Sequence, residues 1–533
     1  MSFGNDVDKL DEEKKGAAMG VAEDGPAETF EIGDSLYARL QRFAGKYNIE
    51  QRGIERASTI LRSYPTSYQE ESISNAHHVP ESEKTDTKLY KVGTMWLAVN
   101  LVVSSFAIGV LGPNVFRLGW YDSVLAIIFF NLLAITPVCF FSTFGPEFGL
   151  RQMILSRFYF GPHCIRLVAL LNCLACIGWA AVNVIVGAQL IHTVNHNVPE
   201  WAGIVIIATC TLAITCFGYK AVHYYEFYSW IPCFIVFVIT AVQFARSGTF
   251  TAIPAAAGRA EAGSILSFGG AIYGFGTGWC SIAADYTVYQ PKSADKRLVF
   301  FFTWLGLLIP LLFTEILGAA IFMGTFTSDV YRQGYETGKI GGLFGAVLVQ
   351  DSLGGFGSFC LVVLALSIIG NNCPNVYSLG LAVQVLSSRL QRVPRFVWTL
   401  FATACYVAIA VPAASRFEAV LENFMLLVAY WLGIYEGISL TEHFVFRRGF
   451  GGYEPACYDQ PERLPVGIAA FVAFCAGVVG TVLGMSQVWW VGPVARLCGA
   501  PPYGGDVGFE LAFGFSAVTY LALRPFEKAR FGR

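Results

Sequence analysis

From near Thr94 to near Leu523 the chain repeats one pattern, apolar stretches of about 17 to 25 residues, each long enough as a helix to cross a hydrocarbon layer roughly 30 Å thick. A bilayer interior offers no water to unpaired backbone groups, so such stretches fold as helices whose hydrogen bonds close internally. Hydropathy places spans near residues 94–116, 122–145, 164–193, 201–218, 228–246, 264–289, 298–325, 357–386, 396–413, 417–443, 465–488 and 507–524, twelve in all. The charged fraction is 14%, against about 25% in an average soluble chain. An all-α integral membrane protein is therefore expected, with the lipid bilayer as its solvent. A formal net charge of -2 and the lack of a basic block exclude nucleic acid as a partner. Cysteines such as Cys173, Cys176, Cys210 and Cys360 fall in apolar spans, where they read as small core residues, and neither a metal nor a cofactor is expected.

The segment 1–91 is polar and rich in Glu, Lys, Ser and Asp, which predicts a largely disordered cytoplasmic tail before a transporter-sized membrane domain at 92–524 and a short cytoplasmic tail at 525–533. Its first residues lack the apolar core of a cleaved signal peptide. With both termini inside, the cytoplasmic loops collect most of the Lys and Arg, Lys220, Arg389 and Arg392 among them.

Two spans carry residues that weaken a helix. Span 1 reads FAIGVLGPNVF from Phe106 to Phe116, with Gly109, Gly112 and Pro113; span 6 reads SFGGAIYGFGTGW from Ser267 to Trp279, with Gly274, Gly276 and Gly278. In a helix interior glycine costs about 1 kcal/mol and proline about 3 relative to alanine. Interruptions five spans apart predict two discontinuous helices in corresponding positions of two halves, hence a five-plus-five inverted repeat with two additional helices and a site near the midplane. Close helix packing through small residues is the competing explanation.

Uncharged polar groups cluster in the same spans. Trp179 and Asn183, four residues apart, share one helix face. A ring and an amide suit a planar heterocycle, since stacking contributes about 1–3 kcal/mol per base and an amide both donates and accepts along an edge. The alternative is a packed indole and an amide bonded to a neighbouring helix. Trp279 supplies a second ring. Span 8 holds GNNCPN, so Asn371, Asn372 and Asn375 need partners at membrane depth, either a ligand or other helices. Ser104 and Ser105 in span 1 are lesser candidates. Of the acids in or near spans, Glu147, Glu226, Asp285, Glu315 and Glu422, we take Glu147, Asp285 and Glu315 as candidates for proton coupling, with ordinary ion pairing as the competing role.

Four segments together, FGLRQMILSRF (Phe148 to Phe158), IGWAAVN (Ile177 to Asn183), GFGTGWCSIAADYTVYQPKS (Gly274 to Ser293) and GNNCPNVYSLGLAVQ (Gly370 to Gln384), resemble the fungal purine-cytosine permeases of the nucleobase-cation-symport-1 family. The resemblance extends from about Thr85 to the C-terminus. It implies the leucine-transporter-like fold, no enzymatic activity, and proton-driven import of adenine, guanine, hypoxanthine and cytosine across the plasma membrane. It further implies that Trp179, Asn183 and Trp279 contact substrate, with Ser105 and Asn375 in a register shared by Ser104, Asn371 and Asn372. Gly370 and Cys373 stand where relatives carry Ala and Ile, which bears on selectivity among purines. The family also includes vitamin B6 carriers, the alternative reading; a nucleobase sensor that moves nothing is the alternative from another class.

Overall fold

The apolar stretches fold as helices in a computed structural model that describes residues 88–533, apart from 217–218, 255–256, 388–389, 391–392 and 394. Nearly all of the expected tail, the side chains of Lys220 and Glu226, and Arg389 and Arg392 lie outside the described residues. Span 1 comprises α1 (Tyr90–Asn100) and α2 (Val103–Asn114); spans 2 to 5 are α3 (Trp120–Ser142), α4 (Arg157–Val194), α5 (Glu200–Cys216) and α6 (Tyr219–Ser247). Span 6 is α7 (Arg259–Thr277) continued by a 3₁₀ helix, Cys280–Tyr286, and span 7 is α8 (Lys296–Met323). After α9 (Asp329–Leu348) come spans 8 to 12: α10 (Gly355–Leu386), α11 (Arg395–Ala413), α12 (Phe417–Thr441), α13 (Ile468–Gly484) and α14 (Gly508–Phe531).

Side-chain burial separates the lipid face from the core. On α3 the large residues Leu125, Phe129 and Leu133 are exposed one above another, while Ile127, Asn131, Ala134 and Val138 are buried. In a membrane this outer stripe meets acyl chains, so association of the helices rests on packing and on interhelical hydrogen bonds.

The packing repeats itself when each span is replaced by the one five places along. Span 1 packs on span 7 as span 6 packs on span 2, and span 5 packs on span 1 as span 10 packs on span 6. Likewise span 3 meets spans 4, 9 and 10 as span 8 meets spans 9, 4 and 5, with spans 3 and 8 packed on each other. Five crossings per unit is an odd number, so the second unit begins at the opposite membrane face and is inverted with respect to the first. Spans 11 and 12 pack on each other and on span 10, outside the two units.

The discontinuities differ in detail from the sequence reading. Span 1 bends by 57° between α1 and α2, at Leu101 and Val102, and α2 runs helical through Gly109, Gly112 and Pro113. Those residues therefore do not mark the break. A Cβ on Gly109 would lie 1.8 Å from the Glu315 backbone oxygen of α8, and one on Gly112 3.0 Å from the Phe268 ring of α7. Their lack of a side chain lets neighbouring helices approach, and Pro113, one residue before the end of α2, removes the N–H that would bond the Gly109 carbonyl without interrupting the helix. In span 6 the helix likewise continues through Gly274 and Gly276 and ends at Thr277, so that only Gly278 of the expected three lies at the break. A Cβ on Gly274 would sit 2.0 Å from the Met425 oxygen of α12, and one on Gly276 2.8 Å from the Ala134 side chain.

Two elements go beyond the hydropathy reading. The helix α9 lies between spans 7 and 8, in a stretch without a span-length apolar run, and Tyr335 on it accepts from Asn114 of α2 (2.7 Å) and donates to Glu418 of α12 (2.8 Å). The C-terminal helix α14 continues past the expected end of span 12 at 524 to Phe531. Buried Arg524 of α14 holds Glu442, beyond the end of α12, and Glu527, each at 3.1 Å.

Candidate functional site

A helix that breaks inside a membrane frees carbonyls, and each needs a donor. At the α1–α2 bend three successive carbonyls find one from a side chain. Val99 accepts from the Asn371 amide of α10, Asn100 accepts from the Ser105 hydroxyl of α2 at 2.6 Å, and Leu101 accepts from the Cys233 thiol of α6 at 3.0 Å. The bend is thus fastened to spans 5 and 8 by uncharged groups.

From Val99 a chain of polar side chains crosses the protein interior. The Asn371 oxygen accepts from Asn183 of α4 at 2.6 Å, and the Asn183 oxygen accepts from Ser104 of α2 at 2.6 Å. Spans 1, 3 and 8 therefore meet at one line of amides and a hydroxyl, all at most 4% exposed. Asn183 reaches this line because the apolar face of α4 is buried against α10. Of the remaining expected residues, Ser105 ties the bend itself, and Asn375 donates back to Asn371 of its own helix at 3.0 Å. Asn372 is fully buried and makes no side-chain hydrogen bond within the described residues.

The two indoles flank the span 6 break. Trp179, one turn before Asn183 on α4, lies edge-on to Phe275 of α7 and Phe424 of α12, with ring centroids at 5.2 and 5.5 Å. A Cβ on Gly278 would fall 3.3 Å from the Trp179 ring, so glycine lets the indole rest on the broken backbone. Trp279, the next residue, turns toward span 1, where its N–H donates to the Asn100 oxygen at 3.0 Å and its ring meets Trp96 at 5.5 Å. Trp96 and Asn100, absent from the sequence-derived candidates, thus connect the two breaks. An Asn one residue before the discontinuity was the available sign, masked because the break itself carries only Leu101, Val102 and Val103, with no Gly or Pro.

The expected carboxylates do not gather. Glu147 lies in a short helix after span 2 and pairs with Lys296 (2.6 Å) and Lys292 (3.5 Å). Asp285, in the 3₁₀ half of span 6, accepts the Gln152 backbone N–H at 2.8 Å. It lines a cavity of about 10 Å³, room for one water, together with Arg151, Asn172, Ile282 and Ser378. Glu315 of α8 is fully buried and accepts from Asn131 of α3 at 2.7 Å. A further buried acid, Glu436 of α12, lies within the expected tenth span and was missed; it accepts from Tyr273 (2.5 Å) and Thr277 of α7.

Comparison with known proteins places this arrangement. Residues 78–498 match the family described as permease for cytosine/purines, uracil, thiamine, allantoin. The chain is 57% identical over 509 residues to the purine-cytosine permease fcyB of Emericella nidulans, covering 95% of this chain and 94% of that one. It is 47% identical over 459 residues to a purine-cytosine permease of Saccharomyces cerevisiae, covering 85% and 86%. Among solved structures it resembles Mhp1, a nucleobase-cation-symport-1 family transporter in a closed conformation with bromovinylhydantoin bound, at TM-score 0.61 and 13% identity, over 84% of this chain and 94% of that one. The fold is accordingly the leucine-transporter-like inverted repeat with two additional helices. By sequence, the chain belongs to the cytosine/purine permease family, among the purine-cytosine permeases, and is a multi-pass membrane permease and not an enzyme.

Proposed function

We propose that the protein imports adenine, guanine, hypoxanthine and cytosine across the plasma membrane together with protons, with residues 1–91 and the C-terminal end on the cytoplasmic side. The observation that carries this reading is the uncharged line Ser104–Asn183–Asn371–Val99, closed between two helix breaks and flanked by Trp179 and Trp279. Nucleobases are planar and neutral, with donors and acceptors alternating along one edge; amides match that edge without placing a charge in the membrane. In this reading an entering base exchanges the Asn183–Asn371 bond for bonds to its own edge, lies against Trp179, and meets Trp279 on the side of span 1. Asn375, Asn372 and Ser105 complete the surroundings.

Because Asn183 and Asn371 bond each other in this structure, a base that takes their place substitutes one set of hydrogen bonds for another and the net gain per bond is modest, about 0.5–1.5 kcal/mol. Stacking adds about 1–3 kcal/mol. Transport follows when the base stabilises the closing arrangement more than the open one, since a ligand that binds both equally shifts nothing. A proton on a buried carboxyl supplies the coupling; Asp285 and Glu315 remain candidates, whereas Glu147 is occupied by two lysines.

The test is uptake of labelled cytosine in cells expressing the protein, competed by adenine, guanine, hypoxanthine, uracil and pyridoxine. Asn183→Ala is expected to lower uptake and apparent affinity at least about tenfold, the equivalent of 1.4 kcal/mol. Unchanged uptake and competition in that variant would remove the site assignment. Competition by pyridoxine and not by adenine would assign the vitamin B6 reading, and binding without accumulation would assign a sensor.

A further inference from the structure

Like Glu315 and Asp506, whose hydrogen-bond partners are neutral, Glu436 is buried without a cation, and of these three it is the one bonded to the end of α7 at the span 6 break. Glu442 is held by Arg447 and Arg524, Glu147 by two lysines, and Asp285 feels the charge of Arg151 and a backbone N–H. Glu436, 1% exposed in the C-terminal part of α12, has only neutral neighbours: the Tyr273 phenol at 2.5 Å, the Thr277 hydroxyl and the Cys280 thiol. Those are the titratable groups that face it, with Cys139 of α3 beyond Cys280. The other helices packed on α12, namely α4, α13 and α14, bring no charged group to it among the described residues. A carboxylate buried without a cation costs several kcal/mol, and a proton is the smallest partner that removes the cost.

Thr277 makes the position consequential. Four other threonines in the spans, Thr211, Thr240, Thr314 and Thr481, donate to the carbonyl four residues back in their own helix. Thr277 instead donates to Glu436. It is the last residue of α7, directly before Gly278 and Trp279 at the span 6 break.

We propose that Glu436 takes up the co-transported proton, and that its protonation reverses the hydrogen bond with Thr277 and so changes the hold of span 10 on the span 6 break. In the ionised state Thr277 donates to the carboxylate. When a proton arrives from the water-accessible side, Glu436 becomes the donor, Thr277 Oγ1 accepts, and the freed Thr277 hydroxyl proton turns back to the Tyr273 carbonyl, the bond its counterparts already make. No other atom changes hands. The last turn of α7 is then fixed by its own backbone, with Trp279 two residues further on, so proton and base act on the same break. This deepens the proton-driven import reading and rests on it.

The experiment uses the full chain in proteoliposomes, with labelled cytosine uptake and base-dependent proton influx measured on the same vesicles, and cytosine affinity measured between pH 5 and 8 (about this range brackets where a coupled acid changes charge). Linkage makes wild-type affinity fall by up to about tenfold per pH unit wherever the empty carboxyl is ionised and the loaded one is protonated. Glu436→Gln, fixed in the neutral state, is expected to lose base-dependent proton influx, to lose that slope, and to equilibrate cytosine without accumulating it. Glu436→Gln with wild-type influx and slope overturns the assignment, as does loss of coupling in Asp285→Asn or Glu315→Gln while Glu436→Gln retains it. No base-dependent influx in the wild-type protein overturns both the assignment and the proton-driven reading, which separates the two failures. If Glu436→Gln does not fold, Glu436→Asp carries the test: the shorter side chain withdraws from Thr277 and must shift the pH midpoint of uptake, and an unshifted midpoint overturns the proposal.

Discussion

Gly109→Ala tests whether the span 1 glycines serve packing or unwinding. Helix propensity alone favours alanine by about 1 kcal/mol, so at a helical position with open surroundings the substitution stabilises. The added Cβ would lie 1.8 Å from the Glu315 oxygen and 2.7 Å from its Cα, whereas ordinary contact begins near 3.4 Å. Helices α2 and α8 must separate by the difference, 3.4 − 1.8 = 1.6 Å, or the site must distort. The opposing group is backbone, which has no rotamer to swing aside. Overpacking of this kind typically costs about 1–3 kcal/mol, and in a membrane no solvent-driven burial compensates the lost contact. Thermal aggregation of detergent-solubilised protein, followed by size-exclusion chromatography, reads the sign. Gly514→Ala on α14, whose added Cβ meets nothing within 4 Å, is the control expected to be neutral or mildly stabilising. Gly109→Ala at or above wild-type stability would refute the packing argument.

Two further outcomes follow from the Arg524 network and the loop before span 12. Arg524→Met leaves Glu442 and Glu527 buried with one partner fewer each; removal of one member of a buried pair costs about 3–5 kcal/mol, so the yield of monodisperse protein should collapse, and a normal yield would show the network to be dispensable. Burial pushes the Asp506 carboxyl up to about 6 from 3.8, against the bonds it accepts from Ser486, Tyr430 and Gly508. A raised acid favours the folded state most when protonated, so the stability it contributes is full below about 4 and is lost as pH rises through about 6. Melting temperatures across that window should fall in the wild-type protein and stay flatter in Asp506→Asn; parallel curves would count against the role.

The resemblance to purine-cytosine permeases was legible in four segments because their side chains are specified by type and order. The location of the span 1 break was not. Sequence draws attention to Gly109, Gly112 and Pro113, yet the chain bends at Leu101 and Val102, residues with good apolar character and no intrinsic reason to leave a helix. What supports the bend is the set of donors from Asn371, Ser105 and Cys233, one of them 272 residues away. Propensity is a local quantity, and this break is stabilised non-locally. Glu436 escaped notice for a similar reason, since a lone acid in an apolar run acquires meaning only from Tyr273 and Thr277 on another helix.

The sequence by itself determined that the chain crosses a bilayer many times, because run length and the scarcity of charge admit no other solvent, and it determined the spacing of five spans between related segments. It also supplied the amides and indoles of spans 3, 6 and 8. Only the tertiary structure decided which of these meet: that Ser104, Asn183 and Asn371 form one line, that Trp279 bonds to Asn100 across the two breaks, and that the glycines of spans 1 and 6 mostly hold helices together. The physical reason is that covalent order fixes each helix and its faces, whereas the partner of a freed carbonyl or a buried amide is set by which helices come to lie beside it.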